Sequence, residues 1–242
     1  MNIYSNSFFQ RVPSYDIIVK ILEEGFKAFY CKEEIFRGQK TPSTYIGIPM
    51  VSFCDIPLIY VAKNNYGKCG IAMSRTWGRH RHLEPVLYYP NDVSAQSTKM
   101  VIKAADSFLR NSKDYDAYRI LGYAKPMRKP TCQKGRSSDN YAEREWRKVY
   151  ACPSPLKWLK EDEYEKYRGK QNTPKQPVGN VLHFNAKDVD FILVDEANVK
   201  TMRNSIMNVI RHIGGRNEPI TADDRLEMIS KILVYEKLIH NL

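Results

Sequence analysis

The residues best suited to chemistry lie in one short segment, residues 141–147 (YAEREWR). On an extended strand, alternate side chains point the same way, so Glu143, Glu145 and Arg147 share one face. Strand rise separates the two carboxylates by about 7 Å. Like charges this close raise each other's pKa unless a cation or a ligand hydroxyl intervenes, and Arg147 can be that cation. The spacing fits either a catalytic carboxylate pair or an ion-pair cluster on an edge strand.

A further acid follows a run of alternating apolar residues at positions 50–55. The alternation predicts a half-buried strand that Pro57 ends. Asp55 at the exit of this strand has two interpretations. It lies at the mouth of a pocket, or it caps the backbone amides of the turn before Pro57.

Two segments are strongly basic. Residues 75–82 (RTWGRHRH) combine cations with the aromatic residue Trp77, and residues 125–136 (KPMRKPTCQKGR) combine cations with residues typical of a loop. Cations suit phosphate groups and an aromatic ring suits a stacked base, so both segments are candidate nucleic-acid contacts. The candidate nucleic-acid-binding residues are Arg75, Trp77, Arg79, Arg81, Lys125, Arg128, Lys129, Lys134 and Arg136. A solvated charged surface explains the same residues equally well.

No metal site is expected. The arginines that alternate with His80 and His82 oppose a dication, and the five cysteines are scattered without a Cys-x-x-Cys pair. Such cysteine usage indicates reduced thiols in a reducing compartment. No apolar window approaches a membrane span and no signal peptide is evident, so we expect a cytoplasmic protein with no membrane partner.

The net charge of the 242-residue chain is +11, with 38 Lys and Arg against 27 Asp and Glu. A balance this basic favours an acidic partner, of which nucleic acid is the commonest. An acidic protein partner and simple solubility are the alternatives. The hydrophobic fraction of 43% is sufficient for a real core in a chain of this length.

Periodicity predicts an α+β chain. Helices are expected at 14–26 and 97–110, and strands at 50–55, 69–73, 84–89, 120–124, 145–152, 181–184 and 190–194. Residues 31–48 are expected to be an exposed loop, residues 75–82 a basic link, and residues 157–177 a solvated insertion. After residue 198 the pattern predicts a helical hairpin. We therefore expect a core over residues 1–196 and a helical extension over 197–242 that packs on it.

Three segments together resemble the AbiGi family of abortive-infection proteins. They are residues 47–58 (GIPMVSFCDIPL), residues 66–86, and residues 143–147 followed by 182–184 and 191–194. The resemblance covers about residues 1–200 and implies a role in phage defence. The AbiGi name also carries an antitoxin label, which implies a non-enzymatic role.

The layout of that family is similar, more distantly, to DarT-like ADP-ribosyltransferases. This similarity implies a mixed, mainly antiparallel, split β-sheet core with an N-terminal helix, and NAD as substrate. It implies that Glu145 hydrogen-bonds the nicotinamide ribose 2′-hydroxyl and stabilises the positive charge developing at the anomeric carbon. Glu143 is the second-choice carboxylate, and Arg147 orients the catalytic acid or contacts a phosphate.

The first strand departs from that pattern, since residues 3–11 contain no His. Asn6 or Ser7 is expected to substitute for it, or Arg11 to reach in, and Phe53 and Asp55 are the other expected NAD-binding residues. Two functions stay open. One is a toxin that transfers ADP-ribose from NAD to a nucleic-acid or protein acceptor and is restrained by an antitoxin or another defence partner. The other is a non-enzymatic antitoxin or regulator that binds a toxin partner or nucleic acid through its basic loops.

Overall fold

The computed structural model describes residues 7–38, 44–58, 60, 68–111, 114–128, 139–150, 158–169 and 176–240. The chain forms two compact units. The first unit combines residues 1–27, 52–83 and 181–242, and the second combines residues 28–51 and 84–180. Each unit therefore draws on segments that are distant in sequence.

The strands, in chain order, are β1 (Ser7–Val12), β2 (Phe26–Lys27), β3 (Phe29–Ile35), β4 (Thr44–Cys54), β5 (Cys69–Ser74), β6 (Glu84–Pro85), β7 (Leu87–Tyr89), β8 (Ala124–Pro126), β9 (Glu145–Val149), β10 (Val181–Leu182), β11 (Val189–Val194) and β12 (Ile232–Val234). The helices are α1 (Tyr15–Glu24), α2 (Arg75–His80), α3 (Gln96–Arg110), α4 (Tyr115–Leu121), α5 (Glu161–Arg168), α6 (Val199–Asn204), α7 (Ala222–Ser230) and α8 (Tyr235–His240).

The sheet of the first unit is centred on β5, whose residues from Cys69 to Met73 are all buried. Strand β1 pairs with β5 antiparallel along its whole length, from Ser7 opposite Ser74 to Val12 opposite Cys69. Strand β11 pairs antiparallel with the other edge of β5, and β12 adds a parallel strand beyond β11. The predicted mixture of helices with a mainly antiparallel sheet is confirmed.

The second unit contains a long hairpin and a helical layer. Strand β3 pairs antiparallel with β4 over seven residues, from Phe29 to Ile35, and β6 pairs with β9. Helices α3 and α4 contribute Phe108 and Tyr118 to a buried cluster with Trp158. The Tyr118 and Trp158 rings meet edge to face with centroids 4.4 Å apart. This apolar layer packs against Ile46, Ile48 and Met50 of β4.

The C-terminal segment is tied to the end of helix α1 through two glycines. The last carbonyls of a helix lack intrahelical donors. Here the carbonyls of Leu22 and Glu23 accept hydrogen bonds from the amides of Gly214 and Gly215, at 2.6 and 2.9 Å. Gly214 has φ of 60°, and a Cβ there would lie 2.2 Å from the carbonyl oxygen of Phe184. The close approach of these backbones therefore requires glycine.

The structure corrects five local predictions. Residues 31–48 are not a loop, because β3 extends to Ile35 and β4 begins at Thr44. Residues 75–80 form a helix rather than a link, and residues 161–168 of the predicted insertion are helical. The predicted strand at 120–124 instead covers the end of α4 and a turn, with β8 starting at residue 124. The C-terminal region contributes strand β12 as well as helices.

Residues 197–240 group with the first unit. Among the described residues, no helix is long and apolar enough to cross a membrane.

We expect Gly214→Ala to lower the free energy of unfolding by more than about 3 kcal/mol, because it combines left-handed strain with a backbone clash. Gly179→Ala is the matched control. Gly179 also has a positive φ, of 84°, but a Cβ there would meet no atom within 4 Å. Its expected cost is about 1 kcal/mol. Denaturant unfolding of both variants measures the difference, and equal losses would contradict the proposed close packing at Gly214.

Candidate functional site

The second unit brings Glu143, Glu145 and Arg147 into one ionic cluster with Lys125 and Glu33. Arg147 Nε lies 2.7 Å from Glu145 Oε1, and Arg147 Nη2 lies 3.1 Å from Glu145 Oε2. The same Nη2 lies 2.9 Å from Glu33 Oε2. Lys125 Nζ lies 2.6 Å from Glu145 Oε2 and 3.1 Å from Glu143 Oε2. We call these five residues the Arg147 cluster.

Several elements position the Arg147 cluster. Glu145 and Arg147 alternate on β9 and are both buried, whereas Trp146 between them is half-buried. Strand β3 supplies Glu33 and strand β8 supplies Lys125. Glu143 is not on the strand, because residues 141–143 form a 3₁₀ turn that ends at Arg144 in the left-handed region. The prediction of one strand face for Glu143, Glu145 and Arg147 was therefore wrong for Glu143, although Lys125 still joins the two carboxylates.

Burial makes these contacts strong. Arg147 is 0% exposed, Glu145 is 7% exposed and Glu33 is 8% exposed. Arg147 also donates to the carbonyl of Gly122 at 3.1 Å, so the guanidinium is surrounded by acceptors. A buried charge is tolerated only when it is paired and hydrogen-bonded, which is the case here.

The cluster fixes the ionisation of its members. Burial by itself raises the pKa of Glu145, but Arg147 and Lys125 more than offset this and lower the pKa to about 2. Burial by itself lowers the pKa of Arg147, but Glu145 and Glu33 reverse the effect and the pKa is raised. Glu145 is therefore a carboxylate at neutral pH with both oxygens hydrogen-bonded. Chemically the arrangement is a closed ion cluster, in which Glu145 is paired with two cations, rather than an open acid.

In the first unit, two predicted site residues belong to a buried aromatic cluster. Phe53 and Trp77 are each 1% exposed, and their rings meet edge to face with centroids 5.5 Å apart. Phe26 packs against both, and Trp77 Nε1 donates to the carbonyl of His183 at 3.0 Å. Neither ring can stack on a base or a nicotinamide that approaches from solvent. The expected contacts of Trp77 with nucleic acid and of Phe53 with NAD do not fit this placement.

The other predicted NAD-binding residues are engaged locally. Asp55 is 4% exposed and forms an ion pair of 2.5 Å with Arg75, whose guanidinium lies over the Phe8 ring at 4.9 Å. The Ser7 hydroxyl donates to Asp190 at 2.5 Å, and Arg11 is exposed on β1. Asn6 lies outside the described residues. Asp55 and Arg75 are therefore brought together, and their charged groups face each other in an ion pair.

The predicted nucleic-acid-binding residues other than Arg75 and Trp77 fall into four groups. Arg79 and Arg128 are exposed, Arg81 is half-buried, and Lys125 is held in the Arg147 cluster with 14% of its side chain exposed. Lys129, Lys134 and Arg136 lie outside the described residues. In the part of the chain that the structure describes, no three His, Cys, Asp or Glu residues group as metal ligands.

Sequence reasoning missed Glu33, whose carboxylate completes the neutralisation of Arg147. A signal for it exists in the strand pattern. Glu33 alternates with Cys31 and Ile35, so a charged residue occupies a strand face that is otherwise apolar. A carboxylate on such a face requires a buried cation.

Residues 24–195 match a family described as "abortive phage resistance protein AbiGi, antitoxin". The chain belongs to the AbiGi family. It is also 24% identical over 231 residues to the "Abortive phage resistance protein AbiGi" of Lactococcus lactis subsp. cremoris, covering 83% of this chain and 91% of that protein. No solved structure matches the chain. The predicted family resemblance is confirmed, and it supports a role in phage defence.

We expect Glu145→Gln to lower the free energy of unfolding by about 3 kcal/mol or more, because removing one partner of a buried ion pair leaves uncompensated charge. Glu143→Gln is the control. The Glu143 carboxylate is 27% exposed and joins the cluster through its ion pair with Lys125, at 3.1 Å. Its loss should cost less than about 1 kcal/mol. Denaturant unfolding at neutral pH compares the two variants, and equal costs would argue against a structural cluster.

The stability that Glu145 contributes to the folded protein should depend on pH. The folded pKa of about 2 lies below the ordinary value of 4.5, so the unfolded chain takes up the proton first as the pH falls. The contribution is therefore complete above pH 4.5 and is lost as the pH falls toward 2. The stability gap between wild type and Glu145→Gln should be constant at neutral pH and narrow in acid. A stability gap that widens in acid would contradict the lowered pKa of Glu145 in the folded protein.

Proposed function

We propose that this chain is the antitoxin of an abortive phage resistance system and acts by binding rather than by catalysis. The observation that carries the proposal is the closure of the Glu145 carboxylate by Arg147 and Lys125. The antitoxin description of the matching family supports the same conclusion.

The argument against catalysis at Glu145 is geometric. A transferase carboxylate must present an oxygen to a ribose hydroxyl and to positive charge that develops in the transition state. Here one oxygen lies 2.7 Å from Arg147 Nε and the other lies 2.6 Å from Lys125 Nζ. Freeing either oxygen breaks a buried ion pair, at a cost of about 3–5 kcal/mol. A carboxylate that is already paired with two cations gains little from a substrate cation.

The same residues have a sufficient structural role. Arg147 joins Glu33 of β3 to Glu145 of β9, and Lys125 attaches β8 to the same carboxylate. The charges therefore hold three strands of the second unit in register. Binding by an antitoxin requires a stable scaffold with exposed contacts elsewhere, and the excess of 11 positive charges favours an acidic partner.

Expression together with the toxin of the same system tests the proposal. Wild type should relieve the growth arrest that the toxin causes, and Glu145→Gln should do so at a temperature at which it remains folded. Colony survival is the readout. The purified wild type should transfer no label from radiolabelled NAD to total nucleic acid or total protein.

Two results would contradict this function. One is failure of the wild type to relieve the arrest. The other is label transfer by the wild type that Glu145→Gln abolishes and Glu143→Gln retains, with both variants folded by circular dichroism. The second result would identify an NAD-dependent ADP-ribosyltransferase.

A further inference from the structure

The C-terminal part of the first unit exposes cations and apolar side chains together. Helix α6 and the turn after it present Lys200, Arg203, Met207, Val209 and Arg211 to solvent. Met207 is 44% exposed and Val209 is 51% exposed. We call these five residues the 200–211 surface.

The charge of this region has one sign. Residues 197–217 contain Lys200, Arg203, Arg211 and Arg216 but no Asp or Glu. Arg216 pairs with Glu218 just beyond the region. Within the described part of the chain, no hydrogen bond or ion pair engages the side chains of the other three cations. These cations stay available to an acidic partner, unlike Arg147 and Lys125 of the second unit.

A widened helical turn shapes the surface. Residues Ser205–Val209 form a π-helix, in which the amide of Ile210 donates to the carbonyl of Ser205 at 3.0 Å. Turns of this kind are rare in proteins, and those that occur are often found at functional sites. The guanidinium of Arg225, on helix α7, donates to the carbonyls of Ile206 and Ile210. Arg225 thereby satisfies backbone groups at the end of the turn and holds its conformation.

The buried side of the same segment fixes the exposed side. Met202, Ile206 and Ile210 are at most 1% exposed and anchor the segment in the core of the first unit. Met207 and Val209 are neighbours of these buried residues in sequence, but their own side chains are exposed to solvent. Their exposure is therefore imposed by a fixed backbone, and a partner that covers them need not reorganise it.

We propose that the 200–211 surface is the docking site for the toxin, through a toxin surface that carries carboxylates around an apolar centre. This inference rests on the proposed antitoxin function. Carboxylates satisfy Lys200, Arg203 and Arg211, and an apolar centre covers Met207 and Val209.

Exposed apolar area favours a protein partner over nucleic acid here. A phosphate backbone neutralises cations but gains nothing from covering Met207 or Val209. Leu226, on the helix that Arg225 anchors to the π turn, is a further apolar side chain and is 61% exposed. The surface also follows residue 195, where the family match ends. Docking here would let members of the family differ in the toxin they recognise.

The test measures binding of the purified toxin to wild type and to Arg203→Glu/Met207→Ser by calorimetry at low and high salt. The control is Lys103→Glu/Met100→Ser on helix α3, which also removes one exposed cation and one exposed methionine. We expect the Kd of the first variant to rise at least about tenfold and that of the control to stay unchanged. Wild-type binding should weaken with salt.

The outcomes separate the docking site from the function. Unchanged toxin binding by Arg203→Glu/Met207→Ser would overturn the docking site. So would relief of toxicity by a wild type that does not bind the toxin, or loss of nucleic-acid binding in the variant with toxin binding intact. Failure of the wild type to relieve toxicity would instead overturn the proposed function. Equal losses in both double variants would show that the effect belongs to overall charge rather than to this surface.

Discussion

The second unit depends on one interaction, the burial of the Arg147 guanidinium among carboxylates. A guanidinium removed from water needs acceptors in fixed directions, and Glu145, Glu33 and the carbonyl of Gly122 supply them. These acceptors come from β9, β3 and the turn after α4. A register slip of one residue would turn Arg147 or Glu33 to the opposite face, so the ionic contact specifies the strand pairing as well as stabilising it.

This constraint changes the meaning of a motif that looks catalytic. Two glutamates and an arginine within residues 143–147 are what a transferase site would need, and the same residue types serve a structural ion cluster. Environment decides between these roles. The low pKa of Glu145 stems from cations that occupy its oxygens, whereas a catalytic carboxylate keeps an oxygen for its substrate. Fold or family similarity alone does not assign the chemistry.

Local periodicity was sufficient to predict helices α1 and α3 and strands β5 and β11, because each has an apolar pattern of its own. It failed at β3, because the polar, irregular sequence of residues 31–48, with Gly38, Pro42 and Gly47, predicted an exposed loop. The partner that buries Glu33 lies on β9, far along the chain, and no local pattern reveals it. Trp77 was misplaced for the same reason. Its burial depends on Phe26 and Phe53, which come from distant segments.

Net charge gives the sign of the favoured partner but does not show where that partner binds. Arg147 and Lys125 count toward the total of +11, yet their charge is neutralised inside the second unit and cannot attract an acidic molecule at a distance. The exposed cations of the 200–211 surface lie in a stretch, residues 197–217, that contains no Asp or Glu. Screening limits an exposed charge to about 10 Å at moderate salt, so the nearest charges dominate an encounter. An exposed cation without a carboxylate partner thus has more influence on an encounter than a cation paired inside the protein.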